Sequence, residues 1–313
     1  MVQLSDPSNI FIVIMTLEKR LLGMTGIEVS CLGFGAGYIG ATNLTEEECG
    51  TLINRAIDVG MTFIDTAPGY GMSEERIGRH LAWRRQDFVL VTKCGYGVEG
   101  YQDWTPQMIV AGVEQALRTM NTDVIDVLLL HSCPVETLKR EEILRAMQVV
   151  KHSGKVRAIG YSGENDALEY AVYCGVFDVV ETSVNMFDQW SLERVIPTAH
   201  AKGIGVIAKR PLANAPWRYA QRPTGNYCEI YWERMMSMLH DVEVGDWKKN
   251  MDELALRFSV FAEGVSCAIA GTSSVRNVER NVACAQMGAL PPDIVKTIRT
   301  AYRKHDDHWI GQV

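Results

Sequence analysis

Several common classes of protein are excluded by what this sequence lacks. No two cysteines have Cys-x-x-Cys spacing; the eight stand at positions 31, 49, 94, 133, 174, 228, 267 and 284. Scattered through 313 residues, they read as reduced thiols of a cytoplasmic protein, not as a disulfide framework. No apolar run approaches the roughly 20 residues that cross a bilayer. The apolar stretch Asn9-Ile10-Phe11-Ile12-Val13-Ile14 has neither a positive leader nor a small-residue cleavage site, so it is not read as a signal peptide. Residues 1–15 are set apart as an N-terminal extension. There is no cationic surplus: net charge is −7 with Lys and Arg dispersed, which argues against a nucleic-acid partner. His-x-His and His-Glu-x-x-His are missing too, so a metallohydrolase is disfavoured and no metal is expected.

What is present is a regular alternation on a chain 47% hydrophobic, enough for a large core. Lys19-Arg20-Leu21-Leu22 and Ile27-Glu28-Val29, turning at Thr25-Gly26, predict a hairpin. A glycine-studded strand follows over 31–37. The capping box Thr45-Glu46-Glu47-Glu48 opens a helix to about Val59. The next strand, Thr62-Phe63-Ile64-Asp65, runs into a Pro-Gly break holding Tyr70. Ser73-Glu74-Glu75 is expected to cap a helix to about Trp83. A strand then ends on Lys93, and Thr105-Pro106 starts a helix to about Met120. Another strand ends on His131. Helices at about 139–152, 165–174 and 191–202 alternate with strands over 156–162, 179–185 and 205–212. A helix at about 250–263, a strand over 266–270 and helices from Ser274 and Pro291 complete the chain. Eight strand–helix units predict one α/β domain over 16–313, a (β/α)8 TIM barrel behind an N-terminal β-hairpin. A doubly wound sheet is the alternative, but the glycines near 33 lack Gly-x-Gly-x-x-Gly spacing. The 213–248 stretch, after strand 7 of the barrel, reads as an irregular lid or binding-loop insertion.

In such a barrel Asp65, Lys93 and His131 end consecutive strands, with Tyr70 just past the first of them. A buried strand seldom ends on a carboxylate without a partner. A lysine ammonium beside a tyrosine stabilises tyrosinate and is expected to lower its pKa, while an aspartate holds the lysine. A histidine beside the tyrosine can hydrogen-bond a carbonyl oxygen. The set describes a general acid that protonates an oxygen as hydride reaches its carbon.

Asp65-Thr66-Ala67, Tyr70, Lys93 and His131, with the opening Lys19-Arg20-Leu21-Leu22-Gly23 and Leu32-Gly33-Phe34-Gly35, resemble the aldo-keto reductases, nearest the bacterial and potassium-channel-β-like branches. The resemblance covers about residues 16–290. It implies NADPH extended across the strand ends, and reduction of an aldehyde or ketone by the catalytic residues Asp65, Tyr70, Lys93 and His131. It further implies that Ser162 and Glu181 hold the nicotinamide carboxamide. Gly163 stands where the family usually has Asn, and Glu181 where it commonly has Gln. Lys209-Arg210-Pro211-Leu212 occupy a segment where the family often has an aromatic and then Ser-Pro-Leu. The stem of Lys209 can cover a ring face, and Arg210 can reach the pyrophosphate. Gly271, Thr272, Ser273, Asn277, Arg280 and Asn281 match the adenosine-phosphate segment, at a helix start that attracts phosphate. Gly271 stands where many members have a 2′-phosphate lysine. Arg276 or Arg280 can take that role, so NADPH is expected over NADH. Tyr38, Trp104, Phe187 and Trp217 are candidates for a substrate pocket. Two alternatives stay open: an NAD-dependent sugar dehydrogenase on the same scaffold, and a cofactor-sensing regulatory subunit with little turnover. The substrate and oligomeric state are not legible.

Overall fold

The computed structural model describes residues 16–242 and 250–313; the expected extension over 1–15 and residues 243–249 lie outside them. Two short antiparallel strands, β1 (Lys19–Leu21) and β2 (Glu28–Ser30), form the predicted hairpin. The barrel then begins with β3 (Leu32–Gly35), α1 (Glu46–Asp58), β4 (Phe63–Asp65), α2 (Ser73–Leu81), β5 (Val89–Cys94), α3 (Pro106–Thr119) and β6 (Ile125–His131). It continues through α4 (Val135–Leu138), α5 (Glu141–His152), β7 (Val156–Ser162), α6 (Asn165–Tyr173), β8 (Val179–Ser183), α7 (Trp190–Arg194), α8 (Ile196–Ala201) and β9 (Gly205–Lys209). The remainder is α9 (Glu229–Met238), α10 (Met251–Val260), β10 (Cys267–Gly271), α11 (Val275–Gln286) and α12 (Pro292–His305).

Strands β3 to β10 close into a parallel barrel in chain order, β10 pairing back to β3. This is the predicted (β/α)8 architecture. Its strands are buried on both faces, which parallel sheets require because helices cover the outside. Inside, Phe63, Val91, Val127, Leu129, Val179, Ile207 and Ile269 pack into one cluster with Leu22, Ile27 and Val29 of the hairpin. The hairpin thus stoppers the end where the strands begin. Gly33 makes room for this packing: a Cβ there would lie 2.8 Å from the Phe63 ring.

Three local expectations need correcting. Ser73 does not cap α2 from outside. It is the first helical residue, accepting a hydrogen bond from the Thr66 hydroxyl (2.8 Å) and donating to the Ala36 carbonyl (2.9 Å). The helix expected over 191–202 is two, broken at Val195, with Pro197 in the first turn of the second, where a missing N–H costs nothing. The stretch expected to be irregular holds a 3-10 turn, Pro216–Arg218, and the helix α9. Tyr231 and Arg234 pin that helix down, through Asp188 (3.0 Å) and the Phe187 carbonyl (3.1 Å) respectively.

Register sets up the site. Gly35 pairs with Asp65, Asp65 with Val91, His131 with Ser162, Ser162 with Glu181, Ser183 with Lys209 and Gly271 with Gly35. The strands therefore end at one level, and the residues that end them form a ring at the carboxyl rim.

Candidate active site

Lys93 is the centre of that ring. Its buried ammonium donates to Asp65 Oδ1 at 2.6 Å and to the Thr66 carbonyl at 3.0 Å. A second buried carboxylate, Glu181, stands 3.7 Å away, and the Tyr70 ring centroid is 5.2 Å from Nζ. The Tyr70 and His131 rings meet edge to face, with centroids 5.9 Å apart. The four strand-end candidates are together.

The electrostatics differ from expectation at Tyr70. Burial pushes its hydroxyl up to about 12, and the Lys93 ammonium only partly opposes it. The expected lowering is therefore outweighed in the ligand-free protein, and the phenol keeps its proton across the neutral range. Burial lowers His131 to about 3, and the Lys93 charge adds to the effect; its imidazole is neutral. Burial also works against the Lys93 cation, but Asp65 and Glu181 outweigh it and hold the group above the usual lysine range. Burial raises Asp65 to about 8, reinforced by the Glu181 charge and opposed by Lys93. Burial would raise Glu181 too, yet Lys93 and Lys209 bring it below the usual carboxylate range. Two carboxylates thus compete for one ammonium, and the pair titrates as a unit.

A cleft of about 400 Å³ leads from Asp65 and Tyr70 across Tyr38, Lys209, Pro211 and Leu212 to Thr272, Ser273, Asn277, Arg280 and Asn281. Its floor is the close pairing of Gly35 and Gly271, where a Cβ on Gly271 would sit 3.1 Å from the Gly35 carbonyl oxygen. At the far end α11 begins at Ser274, whose side chain makes no cap hydrogen bond. The Asn277 amide already donates to the Ser274 carbonyl at 3.0 Å, so the amides of Val275 and Arg276 are the ones open to an anion. Thr272 Oγ1 orders this turn by accepting from the Ser274 amide (3.1 Å) and the Asn277 side chain (3.2 Å). At the near end, Ser162 donates to Glu181 Oε1 at 2.8 Å, while Glu181 Oε2 is buried with no hydrogen-bond partner. An unpaired buried carboxylate oxygen is costly, and it suits a ligand amide. These features fit a dinucleotide with its carboxamide at Glu181 and its phosphates at α11.

Other candidates have different surroundings from those expected. Lys209 Nζ turns to Glu164 (3.3 Å) and Ser162 (3.5 Å). Arg210 points inward, donating to Ser183 Oγ (2.7 Å), Tyr227 and the Gln312 carbonyl. Arg280 pairs with Asp252 at 2.7 Å. Trp217 donates from its indole to the same Asp252 (2.9 Å). Tyr38 is 57% exposed on the cleft wall, whereas Phe187 is 4% exposed and packs with Met186, Met235 and Met238 away from the cleft. Trp104 lies behind the rim, its ring centroid 6.1 Å from that of Tyr96.

Three residues escaped the sequence reading. Tyr96 bonds His131 Nδ1 at 2.5 Å. Its signal was available: a second Gly-Tyr-Gly, Gly95-Tyr96-Gly97, stands shortly after Lys93, as Gly69-Tyr70-Gly71 stands a little further past Asp65. Glu164, two residues past a strand end, collects Thr182, Ser183 and Lys209. Asp252, which holds Arg280 and Trp217, carries no local signal.

A closed parallel barrel with a Lys-centred Asp–Tyr–His cluster at its carboxyl rim, open to a cleft of about 400 Å³ that runs to the start of α11, is the setting of an oxidoreductase class of site. The sequence comparison agrees: the model of the aldo/keto reductase family matches residues 31–303, and the chain belongs to that family. It is similar to L-galactose dehydrogenase of Arabidopsis thaliana, with 30% identity over 85% of this chain and 88% of the relative. It is also similar to the NADH-specific methylglyoxal reductase of Escherichia coli, with 29% identity over 63% of this chain and 68% of the relative. Among solved structures, the holo form of an aldo-keto reductase from Bacillus halodurans superposes with a TM-score of 0.77 at 24% identity, covering 91% of this chain and 96% of the other.

Proposed function

We propose that the chain interconverts an aldehyde or ketone with the corresponding alcohol, with Tyr70 as the acid that protonates the carbonyl oxygen. The nicotinamide cofactor, when bound, supplies the hydride. Tyr70 brings a phenol that stays protonated until the oxygen gathers charge. Lys93, buried beside it, stabilises the tyrosinate that remains. Asp65 and the Thr66 carbonyl hold Lys93 in place, and His131 orients the substrate oxygen. Ser162 and Glu181 receive the carboxamide, and the turn from Thr272 to Asn281 receives the adenosine phosphate. The observation that carries this reading is the Lys93 ammonium, shared by two buried carboxylates and set 5.2 Å from the Tyr70 ring. Tyr70→Phe tests it. Carbonyl reduction should fall by about 10²–10⁴-fold with nucleotide affinity nearly unchanged, and wild-type turnover in this variant would refute the role.

For the cofactor, NADPH rests on Arg276 and Arg280 standing near the adenosine end. One observation favours a second reading, an NAD-linked sugar dehydrogenase: Arg280 is already neutralised by Asp252 at 2.7 Å, and Gly271 offers no side chain. The similarity to a sugar dehydrogenase and to an NADH-specific reductase points the same way. Titrating the protein with NADPH and NADH decides between them: a tighter Kd for NADPH keeps the first reading, and a tighter Kd for NADH replaces it. All eight cysteines are free thiols, and no described helix is long and apolar enough to cross a membrane; we place the enzyme in the cytoplasm on the thiols.

A further inference from the structure

His131 is the one member of the rim cluster whose chemistry depends on where a single proton sits. A neutral imidazole carries one N–H, on Nδ1 or on Nε2, and presents a lone pair at the other nitrogen. With Nε2–H the ring donates to a substrate carbonyl oxygen; with Nδ1–H it presents a lone pair there and repels that oxygen. Burial and the neighbouring cations keep this ring neutral, so protonating both nitrogens does not remove the ambiguity.

The Tyr96 hydroxyl lies 2.5 Å from His131 Nδ1. A phenol donates to an imine-type nitrogen far more readily than it accepts from an imidazole N–H, because the nitrogen is the stronger base. We propose that Tyr96 is a positioning residue that donates to His131 Nδ1 and so locks the imidazole as the Nε2–H tautomer, ready to donate to the substrate oxygen. The inference rests on the carbonyl-reducing reading of the site for its purpose, though not for its geometry.

The surroundings hold the Tyr96 hydroxyl where this bond needs it. The Tyr96 and His131 rings lie 5.5 Å apart, tilted at 31° to each other. On one side Gly69 leaves space, since a Cβ there would come within 2.8 Å of the Tyr96 oxygen. On the other, Trp104 backs the ring at 6.1 Å. Trp104 reaches that place only because Gly95, at φ +129°, has no Cβ; one would lie 2.0 Å from the indole. The Trp104 amide donates to the Gly95 carbonyl at 2.8 Å and closes the loop between them. A donor on the ring nitrogen that faces away from the substrate commonly fixes the tautomer of a working histidine.

The test reads the tautomer directly in ligand-free protein, by ¹⁵N NMR of labelled histidine with His131→Gln used to assign the signal. Wild-type enzyme should show His131 neutral and protonated on Nε2 throughout pH 5–8. Finding the proton on Nδ1 in the wild type overturns the proposal without recourse to any variant. Tyr96→Phe should release the lock, giving a tautomer mixture, and should lower kcat for carbonyl reduction by about tenfold or more with nucleotide Kd unchanged. An Nε2–H tautomer that persists undiminished in Tyr96→Phe likewise overturns it. If the tautomer responds as stated while neither protein reduces any carbonyl, the lock stands and only the reductase reading fails.

Discussion

Replacing Glu181 by Gln should change how stability depends on pH, and the size of the change follows from the geometry around Lys93. Asp65 Oδ1 and Glu181 Oε1 lie 2.6 and 3.7 Å from the same Nζ, so the two oxygens are no more than 6.3 Å apart. At an effective dielectric of about 20, two unit charges at that separation repel by at least about 2.6 kcal/mol, or about two pKa units. Asp65 sits at about 8 in the folded protein against an ordinary 3.8. The folded state therefore binds this proton more tightly than the unfolded one. Its contribution is fully present below about pH 4 and is lost as pH rises towards 8. Glu181, displaced downward, acts only below 4.5. Between pH 5 and 8 the Asp65 contribution dominates the pair, and Glu181→Gln relieves it. The variant also loses an attraction to Lys93 and an ionic acceptor for Ser162, but those losses are nearly independent of pH in this window. The measurement is the urea midpoint of both proteins at pH 5 and pH 8. Wild-type stability should fall more steeply between the two, by about 2 kcal/mol because Asp65 is only half titrated at pH 8, a relative midpoint difference on the order of 0.5–1 M. Other titrating groups cancel in the comparison. Parallel pH profiles would mean that Asp65 and Glu181 do not share Lys93 as described.

Further outcomes follow from the cleft walls. Asp252→Ala frees Arg280 and the Trp217 indole, so NADPH should tighten relative to NADH by several-fold in fluorescence titrations; an unchanged ratio would remove Arg280 from the adenosine end. Gly40→Ala puts a Cβ 1.6 Å from the Tyr70 carbonyl oxygen, a backbone clash that must displace the Tyr70 loop. It should cost on the order of 1–3 kcal/mol in urea unfolding and at least tenfold in kcat, and full activity would show that the loop position does not matter. Gly271→Val fills the floor between Gly35 and Tyr38 and should weaken either nucleotide at least tenfold by titration while leaving thermal stability within a few degrees. Unaltered affinity would place the nucleotide elsewhere.

The barrel and the Asp65–Tyr70–Lys93–His131 cluster were legible because both depend on local pattern. Each strand is a short apolar run, Thr45 and Thr105 cap the helices α1 and α3 recognisably, and closing eight such units brings their ends to one rim whatever the loops do. What stayed hidden depends on pairing between distant segments. Nothing near Arg280 shows that Asp252 neutralises it, and nothing near Arg210 shows that the backbone at Gln312 turns the guanidinium inward. Val195 breaks a helix that the apolar pattern draws as continuous, and α9 lies in a stretch whose Trp, Tyr and Met content masks its period. The same distinction explains the error at Tyr70. That Lys93 lies beside it is readable from strand order, but the sign of its pKa displacement is set by how much water the closed rim excludes, and burial wins. That sign matters for function. A phenol already ionised at neutral pH would have no proton to give, whereas one held up by burial keeps its proton until charge develops on the substrate oxygen. On the proposed mechanism, the buried Lys93 charge then acts on the tyrosinate formed in the reaction, not on the resting enzyme.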